Sequence, residues 1–355
     1  VLEAVVLVGG QGSRLRPLTL TTPKPLLPVA GVPFLLHQFA RLKDVGVTRI
    51  VLATSYRAEL FEEVFGDGSS LGLDLVFVTE DHPMGTGGAI RNVAPALQSG
   101  ADDPVIVLNG DIVSGHDLAA QLKHHLDRDA DVTLHLVEVE DARAFGCVPT
   151  DEHGDVTAFL EKMPEPISNQ INAGCYVFRR SVIDDIPHER PVSVERETFP
   201  GLLNAGARVC AFVETAYWID LGTPAALVKG SADLVRGVIT SSALPAPTGE
   251  ALLLPGAAVD PTATVSGGSV IGAGARVGPG AVIDASIVMD AAVIAEQAHL
   301  TRAIVGAHAV VGERSRLVDA VVGDRGMAGA DNELVDVRLW TDAVLPDASL
   351  RVTVS

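Results

Sequence analysis

The chain has 355 residues, 47% hydrophobic and 20% charged, enough for two domains with real cores and unlike a disordered polymer. A formal charge of −19 argues against nucleic acid as a partner, so an anionic ligand would have to be drawn in by local Arg and Lys. No apolar run reaches the ~18 residues a membrane span needs, and no basic-then-apolar leader opens the chain. Cys147, Cys175 and Cys210 are few, odd in number and not in metal-ligand spacing, which makes a reducing cytoplasm the expected compartment.

The first element is an apolar, β-branched run, Val5–Val8, that reads as a buried strand. It breaks at Gly9-Gly10, keeps Gly12 and Ser13, and reaches Arg14 and Arg16. Consecutive N–H groups in such a turn cradle an anion, and the arginines add planar donors. Lys24 stands between Pro23 and Pro25, on a stiff backbone that can aim its ammonium. Two familiar phosphate motifs are excluded. A dinucleotide fingerprint starting at Gly10 would need glycine where Leu15 stands, and no Gly-Lys-Ser/Thr follows at Walker spacing.

Alternation follows: a helical pattern over Phe34–Val45, a strand at Ile50–Thr54, a helix at Ala58–Phe65, a strand at Leu73–Thr79, a helix at Gly88–Leu97 and a strand at Val105–Leu108. Strands separated by helices of this length predict right-handed crossovers, a mostly parallel sheet, and ligands at the strands' carboxyl ends. Polar clusters stand at those ends. Thr79–Gly88 closes one strand and carries Glu80, Gly85 and Thr86; read plainly, it is a strand-to-helix loop capped by Thr86 or Gly87. A carboxylate such as Glu80 only accepts hydrogen bonds, so it suits a ligand edge that presents adjacent N–H donors. Asn109-Gly110-Asp111 ends the next strand, where a lone Asp is often a helix cap, and a further Asp, Asp220, stands in Trp218–Pro224.

Gly146 in Phe145–Val148 opens backbone to a ligand's hydroxyls, Glu161-Lys162 before Pro164 sets a carboxylate beside an ammonium, and Asn172 stands in Asn172–Tyr176. An isolated Glu-Lys pair is equally a charged surface patch, since neighbours on a strand point to opposite faces. Ser193–Pro200 is assigned to packing. Ser241–Glu250 is polar and Pro-rich and reads as a linker. Beyond it Val259, Val265, Ile271, Val277 and Ile283 recur every six residues; Val288, Ile294 and Leu300 continue the series, and Val305, Val311 and Leu317 resume it after a one-residue slip. This is the hexapeptide period of a parallel β-helix, with the fading repeats after Val322 as its cap.

The stretch Gly9–Val29, with Asn109–Asp111, Asn172–Gly174 and Trp218–Pro224, closely resembles the sugar-1-phosphate nucleotidyltransferases. Within that family the resemblance is nearest the bacterial mannose-1-phosphate guanylyltransferases. It implies an α/β fold: a Rossmann-like, mostly parallel nucleotidyltransferase domain over 1–240, a linker over 241–250, and a left-handed β-helix over 251–355. The implied partners are GTP and mannose 1-phosphate, joined into GDP-mannose with release of pyrophosphate. Arg14, Lys24, Asp111 and Asp220 would carry the chemistry, the two aspartates holding Mg²⁺. Leu7, Gly9, Gly10, Gly12, Ser13, Arg14, Glu80, Gly85, Thr86, Asn109 and Gly110 would surround the nucleotide. Gly146, Glu161, Lys162 and Asn172 would meet the sugar phosphate. A homo-oligomer formed through both domains is expected. The same chemistry on glucose or heptose 1-phosphate, or with another nucleotide, is the alternative. Acyl transfer on the β-helix, using His299 or His308, and a regulatory subunit are more distant ones.

Overall fold

The computed structural model describes residues 2–55, 57–160 and 164–350. They fall into two compact units, Val1–Gly10 with Gln38–Trp218, and Gln11–His37 with Ile219–Ser355. Compactness therefore does not follow chain order, because the segment after the glycine turn belongs with the C-terminal part of the chain.

The first unit is built on seven strands: β1 Glu3–Leu7, β2 Arg49–Thr54, β3 Asp74–Thr79, β4 Pro104–Asn109, β5 Val132–Glu138, β6 Gln170–Arg179 and β7 Val209–Glu214. Their order across the sheet is β7-β5-β6-β4-β1-β2-β3. β1 lies parallel to β2 and β4, while β6 runs antiparallel to both its neighbours. Val5, Val51 and Val107 are wholly buried, as strands covered on both faces must be. The helices of the chain are α1 Phe34–Asp44, α2 Glu59–Phe65, α3 Gly85–Val93, α4 Leu118–Asp127, α5 Arg180–Asp185, α6 Phe199–Asn204 and α7 Pro224–Arg236.

α3 starts three residues before the expected Gly88, and neither Thr86 nor Gly87 caps it. The backbone of Val192 takes over that role, accepting from Gly87 N–H (2.8 Å) and Gly88 N–H (3.2 Å) while its own N–H donates to Met84 O. A long-range partner has replaced the local cap. Gly85 sits at φ +69°, and a Cβ there would lie 2.6 Å from Val192 O, so this close approach already demands glycine.

In the second unit, α7 opens on Thr223, whose hydroxyl accepts Ala226 N–H, with Pro224 at the first helical position. Beyond it three parallel sheets of six, six and five strands wind into the β-helix. Ile271, Val277, Ile283, Val288, Ile294, Leu300, Val305, Val311 and Leu317 all point inward and are buried. The slip is no isolated event. The first coil pairs with an 18-residue offset, Ala251 to Ser269, but from Val270 on the offset is 17, Val270 to Ile287 to Ile304 to Val321, so from Ile283 on every third interval is five residues rather than six. Nor do the repeats fade after Val322, since strands continue through Val344–Leu345 with Leu334 wholly buried. Corner residues such as Ala291, Gln297 and His308 adopt left-handed φ, and each offsets that strain by donating its N–H to the preceding coil. At corners further along, the pairs Arg302–Asp319, Arg314–Asp331 and Arg325–Asp342 tie successive coils together. His299 faces solvent and His308 stands at a corner, positions set by the coil itself. Among the described residues no helix is long and apolar enough to cross a membrane.

Candidate active site

In the first unit the sheet's carboxyl edge gathers most of the expected nucleotide residues. Leu7 is in register with Asn109, and Gly110 N–H donates to Leu7 O at 2.9 Å. Gln38 of α1 fixes the turn that follows, its amide donating to Ile112 O (2.7 Å) and Asn109 O (3.4 Å), on either side of Gly110-Asp111. Glu80 lies beside the glycine turn: a Cβ built on Gly9 would stand 3.6 Å from its Oε1, and Gly10 is exposed next to it. Glu80 Oε2 accepts Met84 N–H at 3.1 Å. Partial burial pushes the Glu80 carboxyl above its ordinary range, as expected for a carboxylate short of donors.

Asn172 donates to the Tyr176 hydroxyl at 2.7 Å and accepts Gly174 N–H, and Gly174 packs directly on the Asn109 side chain. Burial raises the Tyr176 phenol well above its usual pKa; Glu195 adds to this, and Asp111 contributes a smaller share, so both negative charges face this region. Glu195 comes from Ser193–Pro200, the stretch assigned to packing. It accepts the Thr86 hydroxyl at 3.3 Å from within a π-helical turn, Val194–Thr198, which no sequence period reveals. Leu160 bridges Cys147, the residue after Gly146. Glu161 and Lys162 themselves lie outside the described residues.

The second unit holds the charged group. Gly12 is left-handed at φ +56°, opening a 3-10 turn over Ser13–Leu15. Lys24, between its prolines, starts the third such turn of the segment, after Leu18–Leu20. Both cations converge on Asp220: Lys24 Nζ stands 3.5 Å from Oδ1 and Arg14 Nη2 3.8 Å from Oδ2. Asp220 Oδ1 is buried and accepts no hydrogen bond, although two cations are near. A Cβ on Gly222 would overlap Arg14 Nη2, so the missing side chain leaves room for the guanidinium. This is a carboxylate with spare acceptor capacity beside two phosphate-type donors. Among the described residues no cluster of three or more His, Cys, Asp or Glu could cage a metal. The unused acceptor Oδ1 of Asp220 fits an ion that takes one or two carboxylates and draws its remaining ligands from water and phosphate. Asp111 and Asp220 belong to different units, and their convergence is part of the proposal below.

A family model described as nucleotidyl transferase matches residues 3–237. The chain belongs to the nucleotidyl transferase family. A second model, the GMPPB C-terminal domain, matches residues 248–348 of this nucleotidyl transferase. Over 263 residues it is 57% identical to a mannose-1-phosphate guanylyltransferase of Mycobacterium tuberculosis, an alignment covering 74% of this chain and 72% of that one. The catalytic subunit beta of mannose-1-phosphate guanylyltransferase from Drosophila pseudoobscura is 37% identical over 263 residues, 74% of this chain and 70% of the other. Among solved structures, HddC from Yersinia pseudotuberculosis complexed with GMP-PN is 32% identical with a TM-score of 0.56, covering 65% of this chain and 98% of that one. As a nucleotidyl transferase it belongs to enzymes that generally use a divalent metal.

Proposed function

We propose that the enzyme transfers the guanylyl group of GTP to mannose 1-phosphate, giving GDP-mannose and pyrophosphate. The observation that carries the substrate pair is the 57% identity to the mycobacterial mannose-1-phosphate guanylyltransferase. A phosphate oxygen of the sugar 1-phosphate attacks the α-phosphorus of GTP, a new P–O bond forms, and the bond to the β-phosphate oxygen breaks. No covalent enzyme intermediate is needed, because the nucleophile is already anionic at neutral pH. What remains for the protein is positioning and charge stabilisation. Arg14 and Lys24, which neutralise Asp220 in the free enzyme, serve the triphosphate and the departing pyrophosphate. Asp111 and Asp220 would hold Mg²⁺, which when bound supplies charge neutralisation at the phosphates. Lys162 would orient the sugar phosphate, with Glu161, Asn172 and Gly146 at the sugar hydroxyls. Leu7, Gly9, Gly10, Gly12, Ser13, Thr86, Asn109 and Gly110 would enclose the nucleotide.

Glu80 supports guanine. Its partly desolvated carboxylate has one backbone donor, and N1–H with N2–H₂ would supply two more. The test is pyrophosphate release across a grid of nucleoside triphosphates and sugar 1-phosphates with Mg²⁺; a maximum at GTP with mannose 1-phosphate is expected, and a maximum elsewhere corrects the substrates. On the same grid Glu80→Gln should reduce the preference for GTP by about tenfold or more, the scale of a charge-assisted hydrogen bond. An unchanged preference would remove Glu80 from base reading.

Self-association is the companion proposal. Along one sheet of the coil the outward ladder runs Val293, Val310, Met327 and Val344, with Met327 44% and Val344 66% exposed. Light scattering should show more than one chain per particle, and a monomer at all working concentrations would refute it. The three buried free thiols accord with a reducing cytoplasm.

A further inference from the structure

We infer that Arg338, on the β-helix, is a positioning residue for the phosphate-binding turn, acting through the backbone that carries Arg14; the inference rests on the role proposed above for Arg14. The need for such a residue is written into the turn. In a 3-10 turn the carbonyl of one residue accepts the N–H three positions later. Gly12 O and Ser13 O are served in this way by Leu15 and Arg16. Arg14 O would look to residue 17, which is Pro17 and has no N–H.

Arg338 supplies the missing donor. Its Nη1 donates to Arg14 O at 2.7 Å and to Arg16 O at 3.0 Å, spanning the backbone on both sides of Leu15. Its place in the coil is distinctive. The outward positions along that sheet are Val270, Ile287, Ile304 and Val321, all at most 3% exposed, and the next step in register is Arg338. The coil thus changes from apolar packing to a charged donor where it reaches those carbonyls.

A second pin works alongside it. Asp324 accepts the Thr21 hydroxyl through Oδ2 and is itself held by Ala307 N–H on Oδ1. Between the pins and the rest of the coil, apolar packing is incomplete. A cavity of about 280 Å³ lies under Leu18, Leu26 and Leu27, floored by Ile287 and Met289. Burial of Leu15 and Leu18 anchors the segment from Arg14 to Lys24, and across that gap the hydrogen bond nearest Arg14 is the one from Arg338. Small displacements matter in such sites, where a shift of about 1 Å can cost on the order of 100-fold in rate.

The test compares Arg338→Ala, Arg338→Lys and Arg316→Ala in the full chain. Arg316 pairs with Glu333 on a different sheet of the coil and serves as a control for coil stability. Two readouts are taken: kcat and KM for pyrophosphate release, and the rate of tryptic cleavage after Arg14 without substrate, which reports local opening of the turn. Arg338→Ala should lower kcat about tenfold with KM for the sugar phosphate little changed, and speed cleavage after Arg14 by a similar factor. Arg338→Lys, which keeps a charged donor, should recover most of both. Arg316→Ala should leave both as in the parent. Parental cleavage and kcat in Arg338→Ala would overturn the inference, as would equal losses in Arg316→Ala. If the parent released no pyrophosphate, the functional reading would fail, and the cleavage comparison would still decide whether Arg338 pins the turn.

Discussion

Asp220→Asn should lower kcat by about 100- to 1,000-fold, equivalent to about 3–4 kcal/mol of lost transition-state stabilisation, while the fold survives. The fold survives because Asp220 gives the free protein little: its contacts to Lys24 and Arg14 are ion pairs of 3.5 and 3.8 Å, and its side chain is 34% exposed. Pairs of that length and exposure are worth little to stability. Activity falls because the asparagine brings no negative charge to a divalent ion. Binding of metal-free GTP should move the opposite way, weakly, since Arg14 and Lys24 would no longer be neutralised by a carboxylate. Pyrophosphate release as a function of Mg²⁺, calorimetric binding of GTP in chelator, and Tm together check the three statements. Turnover within about tenfold of the parent would take Asp220 out of the site, because a charged group at the reacting phosphates cannot be lost so cheaply.

Legibility in the sequence tracked how local each determinant was. Val5–Val8, Gly12, Arg14 and the Pro23-Lys24-Pro25 sandwich are encoded within a few residues: the strand forms where the sequence predicts it, and the glycine turn and the Pro-Lys-Pro stretch take up 3-10 turns. The β-helix was legible through its period, but the five-residue interval in each coil after the first was not fully so, because it takes the 17-residue strand offset to show that the slip recurs. Determinants that depend on distant partners were hidden. Val192 replaces the local cap of α3 and accounts for Gly85; Glu195 reaches Thr86 from a π-helical turn; Gln38 spans the Asp111 turn from another element. Arg338 was half-visible, since Pro17 announces an unserved carbonyl without saying who serves it.

Acid should destabilise the protein well above the pH at which its carboxylates protonate, because its first unit buries histidines in the neutral form. Burial, then His135 and Arg41, lowers His116 to about 2. Burial and Arg41 lower His135 to about 3, and burial, then Arg179, lowers His125 to about 4. The geometry agrees. Arg41, which can only donate, stands 3.1 Å from His116 Nδ1, so that nitrogen must accept, leaving Nε2–H to donate to Gln121 Oε1 at 2.9 Å. His135 stacks on His116 with ring centroids 3.6 Å apart, and neither of its ring nitrogens has a hydrogen-bond partner among the described residues. In the unfolded chain each histidine takes up a proton below about pH 6.5, whereas in the folded chain it does so only near its lowered value. Between those limits the unfolded state binds more protons, so stability falls as the pH falls, by at most about 1.4 kcal/mol per pH unit for each histidine. Chemical denaturation from pH 7.5 to 4.5 should therefore show a steep loss beginning near pH 6.5. His135→Leu removes one buried titrating ring that makes no hydrogen bond, and should shallow that slope by close to one proton. An identical slope in the variant would mean that His135 is protonated alike in both states, and the acid sensitivity would have to come from the other histidines that burial lowers, His116, His125, His37 and His124.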